Sequence, residues 1–187
     1  MKKLINLGLI SLGLALAPSI VMAVEKAAAP AASQPVGTVD NQTLKFQLAA
    51  KLNELYPNNN IEVTAFNNTI LLTGQVASKT IKHGVNAVAA KFSGVEALAN
   101  YLAVAKKQSA AQTAKDSWIT TKATAKLVAI HGIDSSNVKI VTSNGSAYLL
   151  GTVTHSQDAA IIKAITPING IRKIIILFKF NKGADDE

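Results

Sequence analysis

The chain has 187 residues, 49% of them hydrophobic and 16% charged, which allows one ordinary domain or two small ones. It contains no cysteine, and this excludes disulfides, thiolate metal sites, a cysteine nucleophile and lipid attachment through an N-terminal cysteine. Nineteen Lys and Arg against eleven Asp and Glu give a net charge of +8, an excess that points to anionic partners: nucleic acid, phospholipid headgroups or an acidic protein.

Lys2 and Lys3 precede an apolar run over residues 4–17, then Pro18, then Val21, Met22 and Ala23. A basic start, an apolar middle and small residues before a cut describe a secretory signal peptide over residues 1–23, cleaved after Ala23. A retained membrane anchor fits less well, because a spanning helix needs about 20 apolar residues and Pro18 interrupts this run. Residues 24–39 are rich in Ala, Pro, Ser and Gly without an apolar period, and are expected to form a flexible linker.

Beyond the linker the chain repeats itself. Residues 61–76 align with residues 138–153 without a gap, at an offset of 77 residues, 151 − 74 for the shared glycine. Each copy reads as two alternating strands around a tight turn, at Asn67 and Asn68 or at Asn144 and Gly145, residue types that tolerate the positive φ of hairpin turns. Leu44, Leu48, Leu52 and Leu55 predict a helix before the first hairpin, and Ile119, Ala123, Leu127 and Ile130 one before the second. After the hairpins, Ile81, Val85, Val88 and Phe92 predict another helix, as do Ala159, Ile162 and Ile165. An apolar strand follows each, over residues 95–104 and 171–180, after Gly94 and Gly170. Asp40 and Asp116 read as N-caps, and Gly74 and Gly151 as points of close backbone approach.

The implied fold class is α+β, with two αββαβ units, each a three-stranded mixed sheet packed on two helices. The expected boundaries are residues 40–106 and 115–182, with a second linker at 107–114 and an acidic tail at 183–187. Each unit, at about 65 residues, is near the lower limit for a self-sufficient core. The last strand is apolar at both parities, through Ile174, Ile176, Phe178 and Phe180 and through Ile175 and Leu177. Its second face is therefore expected to touch the other copy or another chain.

From residue 40 to 105 five Lys oppose four acidic residues, a net of +1, whereas from 109 to 182 eight Lys and one Arg oppose three Asp, a net of +6. The helix expected to begin near Asp116 shows how this excess is used. At 100° per residue, Lys122 lies about 40° and Lys126 about 80° from Trp118, while the centre of the apolar stripe lies about 135° away. The indole thus falls on the lysine face. Thr43, Gln47 and Lys51 occupy the equivalent positions of the first copy, which lacks the ring. Two roles fit Trp118: insertion at a headgroup boundary, where Trp is enriched and lysines attract anionic lipid, or cover of an inter-domain seam with Lys122 stacked on it.

The two copies resemble the BON domain of bacterial envelope proteins over most of residues 40–180. The resemblance rests on Asp116, Ser117, Trp118, Ile119, Thr120, Thr121 and Lys122, on Ser136 to Lys139, on Asn144 and Gly145, and on Gly170, Ile171, Arg172 and Lys173. In the first copy it rests on Val63 to Phe66 and on Leu71, Leu72, Thr73, Gly74 and Gln75. It is strongest to two-BON outer-membrane lipoproteins of division sites that bind anionic phospholipid, and weaker to osmotically induced periplasmic BON proteins. It implies a lipid site on the first helix of the second unit, carried onto Trp118, Thr121, Lys122 and Lys126. The implied partners are anionic phospholipids, phosphatidylglycerol and cardiolipin, with the first unit open to an envelope protein. The lipidated cysteine of those lipoproteins has no counterpart here, so attachment is expected to be peripheral and reversible.

Catalysis finds little support. His83, His131 and His155 lack metal-ligand spacing, no carboxylate pair presents itself for acid–base work, and the glycines form no phosphate loop. No cofactor is expected. One Arg and no aromatic platform argue against nucleic acid. The expected function is a periplasmic phospholipid-binding protein supporting envelope integrity. The alternative is a soluble stress protein, chaperone or adaptor without lipid affinity.

Overall fold

The computed structural model describes residues 40–181. The expected signal peptide at 1–23, linker at 24–39 and acidic tail at 183–187 lie outside the described residues. The first unit runs α1 (Asn41–Leu55), β1 (Asn60–Phe66), β2 (Thr69–Val76), α2 (Lys79–Ala90), β3 (Ala97–Asn100) and β4 (Ala103–Val104). The second runs α3 (Ala110–Val128), β5 (Val138–Ser143), β6 (Ser146–Val153), α4 (His155–Ile165) and β7 (Lys173–Phe180). The αββαβ order therefore occurs twice.

In each unit the hairpin pairs antiparallel and the last strand returns parallel to the second, giving the orders β1–β2–β3 and β5–β6–β7, with β4 also on β2. The turns take positive φ at both central residues, 47° and 56° at Asn67 and Asn68, 47° and 72° at Asn144 and Gly145. That geometry matches the twist of the flanking strands. Gly151, at φ +149°, lies against the Asn137 carbonyl, which a side chain would strike. Close backbone approach is thus the reason for glycine there.

Each sheet buries one face under its own helices. Leu44, Leu48 and Leu52 of α1 meet Val63, Ile70 and Leu72, and Ile119, Ala123 and Leu127 of α3 meet Val138, Ile140 and Leu149. The opposite faces meet each other. Leu71, Tyr148 and Leu150 are buried together, flanked by Phe66, Ala99, Val141, Ile175 and Leu177. The second face of the last strand thus packs on the other unit, as its two apolar parities require. The Tyr101 and Tyr148 rings lie 5.1 Å apart across this seam, and burial pushes the Tyr148 phenol above its ordinary pKa. Lys179 Nζ reaches Glu96 Oε2 at 3.7 Å, an exposed pair that contributes little.

Four expectations are corrected. Asp40 caps α1, accepting from the Gln42 amide at 2.7 Å, but Asp116 is not a cap. The helix begins at Ala110 behind Ser109, whose hydroxyl accepts from the Gln112 amide at 3.2 Å. Residues 110–114, read as linker, are its first turns: Ala, Gln and Lys favour helix without leaving an apolar period. In α4 the buried stripe is Ile161 and Ile165, continued by Ile168, while Ala159 is exposed. The last strand of the first unit is split, because Asn100 Oδ1 takes the Leu102 amide at 3.2 Å.

Candidate functional site

The outer face of α3 carries the residues expected to form the site. Ile119, Ala123 and Leu127 pin one side of the helix to the sheet, so the positions between them face outward. Trp118 is 51% exposed, and Lys122 Nζ lies 4.7 Å from the centre of its ring. The ring is not enclosed by the seam. The ammonium over the indole face is a cation–π contact worth about 0.5–1 kcal/mol at an exposed site. It holds an apolar ring and a positive charge together on one patch.

Lys126, also exposed, follows one turn on, where a cation complements the C-terminal end of the helix. Thr121 sits on the other side of Trp118. Its hydroxyl donates to the Ser117 carbonyl at 3.0 Å, and it lines a cleft of about 350 Å³ with Glu62 of the first unit, Gln108 and Thr142. The structure therefore brings Trp118 and Lys122 together, sets Lys126 on the same exposed helix, and turns Thr121 toward the seam.

The only acidic residue of α3 is withdrawn from this face. Asp116 is 3% exposed and accepts from the Asn144 amide at 2.7 Å, the Gly145 amide at 2.9 Å and the Gln112 side chain at 2.9 Å. Its charge is spent on the hairpin turn, which leaves Lys115, Lys122 and Lys126 as the exposed charges of the helix. In α1, by contrast, Lys51 is paired with Glu54 at 3.1 Å.

One surface group escaped the sequence reading. Phe46 on α1 is 67% exposed, with Lys45 Nζ 5.8 Å from its ring, so the first unit's helix does carry an outward aromatic. The signal was available: at 100° per residue Phe46 lies about 160° from the centre of the stripe of Leu44, Leu48 and Leu52. Of the histidines, His155 stacks on Phe180 at 4.2 Å, and His83 and His131 are exposed. Among the described residues no three His, Asp or Glu gather closely enough to hold a metal ion, and no helix is long and apolar enough to cross a membrane.

Fold and site together define a class: two αββαβ modules joined through their sheets, with a helix face of exposed aromatic and lysine on the second. The chain belongs to the BON family, with one BON domain at residues 40–106 and another at 115–182. It is 34% identical over 159 residues to the outer membrane lipoprotein DolP of Haemophilus influenzae, covering 82% of each chain. It is 29% identical over 155 residues to a 21 kDa hemolysin of Actinobacillus pleuropneumoniae, covering 81% of this chain and 80% of that one. Among solved structures it is similar to CdsD, a structural protein of the type III secretion system of Chlamydia trachomatis, at 14% identity and a TM-score of 0.33, covering 75% of this chain and 93% of that one.

Proposed function

We propose that this protein is exported to the periplasm, binds anionic phospholipid peripherally through the outer face of α3, and so supports envelope integrity. It acts as a binding protein and not as an enzyme. Phosphatidylglycerol and cardiolipin are its ligands, and Trp118, Lys122 and Lys126 are the contact residues, with Thr121 at the seam-side edge of the face. The observation that carries the reading is the exposed Trp118 ring with the Lys122 ammonium 4.7 Å from its centre. An indole is stable where apolar chains meet headgroups, and each nearby lysine adds about 1 kcal/mol of attraction to an anionic surface. The withdrawal of Asp116 removes the one carboxylate of α3 that would oppose this. The periplasmic location rests on the leader at residues 1–23 and on similarity to a protein named as an outer membrane lipoprotein.

Vesicle co-sedimentation tests the reading. The protein should pellet with vesicles containing phosphatidylglycerol and not with zwitterionic ones. Trp118→Ala should lose at least about tenfold in affinity, the 1.4 kcal/mol or more expected of a buried indole, with an unchanged melting temperature. Undiminished binding by that variant removes Trp118 from the site.

A further inference from the structure

A second cationic point stands beside the lysine face of α3. Lys115 lies about 60° from Trp118 around the helix, between Lys122 at about 40° and Lys126 at about 80°. Its stem crosses Gly170, where a Cβ would stand 3.0 Å from Lys115 Cε. Arg172 lies against Gly145, where a Cβ would stand 2.7 Å from Arg172 Nε and 3.2 Å from the Gly170 carbonyl oxygen. The two cations thus flank one pair of glycines, and both are exposed. Arg172 is held in place by neutral groups: Nη2 donates to the Asn144 carbonyl at 2.6 Å and to its Oδ1 at 2.9 Å. Among the described residues neither cation forms an ion pair. The nearby Asp116 carboxylate accepts instead from the Asn144 and Gly145 amides and from Gln112.

The repeat shows that the turn does not require this cation. Lys173 and Ala97 occupy one position of the repeat, pairing with Ser146 and Thr69, so Glu96 is the counterpart of Arg172. Glu96 makes the same clasp. Its amide donates to the Asn68 carbonyl at 3.0 Å and its Oε1 accepts from Asn68 Nδ2 at 2.7 Å, as the Arg172 amide donates to the Gly145 carbonyl at 2.8 Å. Either sign of charge closes the turn, yet only the second unit places a cation there, beside the helix that carries Trp118. A guanidinium fixed by neutral acceptors keeps its full charge and its remaining N–H donors, the fork that phosphate accepts bidentately. We propose that Lys115 and Arg172 bind a second headgroup phosphate, so that this face prefers a lipid carrying two phosphates, the cardiolipin class, to one carrying a single phosphate. This rests on the lipid reading of α3, in which Lys122 beside Trp118 takes the first. Lys115 and Lys122 are seven residues apart, about 10 Å along the axis, and their flexible stems can converge across that gap. One such lipid delivers its second phosphate already tethered, whereas two singly charged lipids must be gathered.

Co-sedimentation with vesicles of sparse anionic lipid, matched in total charge, tests this. The unaltered protein should bind cardiolipin vesicles at least about fivefold more tightly than phosphatidylglycerol vesicles. Arg172→Gln keeps a side-chain donor for Asn144, and Lys115→Gln is an exposed change. Each should remove most of the preference while altering phosphatidylglycerol affinity less than about twofold, with an unchanged melting temperature. Inorganic phosphate at matched ionic strength should not compete. Equal affinity for the two lipids overturns the proposal and leaves the lipid reading standing, as does a preference that both variants retain. Competition by inorganic phosphate would assign the point to a free ion and overturn the headgroup assignment. A protein that binds neither vesicle overturns the lipid reading and the proposal together.

Discussion

Asp116 accepts the Gly145 amide at 2.9 Å, and Asn41, one residue inside α1, accepts the Asn68 amide at 3.3 Å. Asn68 and Gly145 are the same position of the repeat, so in both units the first helix holds the hairpin turn by a side-chain acceptor. The second unit uses a charge and buries it. Asp116→Ala would strand two turn amides beside buried structure, at about 1–3 kcal/mol for each unpaired donor. The expected loss is about 2–4 kcal/mol in urea unfolding, with Asp116→Asn losing less because one acceptor remains. A change below about 0.5 kcal/mol for the alanine variant would show that the turn stands without the carboxylate.

The apolar seam between the units should make them one cooperative structure. Leu71 belongs to the first unit, yet it is fully buried against Tyr148 and Leu150 of the second. Leu71→Ala should cost about 2–5 kcal/mol and uncouple the units. Native-state hydrogen exchange should then show two sets of amides opening with different free energies, where the unaltered protein should show one. Two such sets in the unaltered protein would contradict the packing described.

Capping at Asp40 carries a pH signature. The Thr43 hydroxyl, followed by the Gln42 amide, holds the carboxyl below its ordinary pKa of 3.8. A lowered folded-state value means that the charged cap stabilises the fold above the unfolded pKa, and that this is lost as pH falls through the lowered value. The melting temperature of Asp40→Ala should therefore lie below that of the unaltered protein by a constant amount at neutral pH. The gap should close below about pH 4. A gap unchanged at low pH would mean that the cap does not depend on the carboxylate charge.

Lipid attachment through lysines is screened by salt. The Debye length falls from about 10 Å at 0.1 M to about 3 Å at 1 M, so vesicle affinity should drop steeply over that range. Lys122→Ala and Lys126→Ala should each weaken binding at low salt by about 1 kcal/mol, roughly fivefold, and matter little at high salt. Affinity that is indifferent to salt would show an attachment made by apolar contact alone.

Much of the fold was legible because its signals are periodic. The alternating strands around Asn144 and Gly145, and the leucines of α1 at helical spacing, each name an element and its buried face. The misreadings fall where the deciding interaction is not periodic. The first turns of α3 have helix-forming residues but no apolar stripe, so periodicity points to a start at the next acidic residue rather than at Ala110. Asp116 then read as a cap, although its partners Asn144 and Gly145 are 28 and 29 residues away. Asn100 breaks its strand by a side-chain bond to a neighbouring amide, which composition does not announce. Of the candidate site, Trp118 and the lysines followed from angular position on the helix, whereas the turn of Thr121 toward Glu62 depends on how the two units pack.

The outer face of α3 as the lipid-contact surface is tested most directly by an NMR titration of the purified protein with phosphatidylglycerol micelles, followed residue by residue. Shifts and line broadening should centre on residues 117–126, with the Trp118 indole N–H moving most and zwitterionic micelles producing none. Perturbations centred on α1 around Phe46, or none on α3 at saturating lipid, would contradict the account.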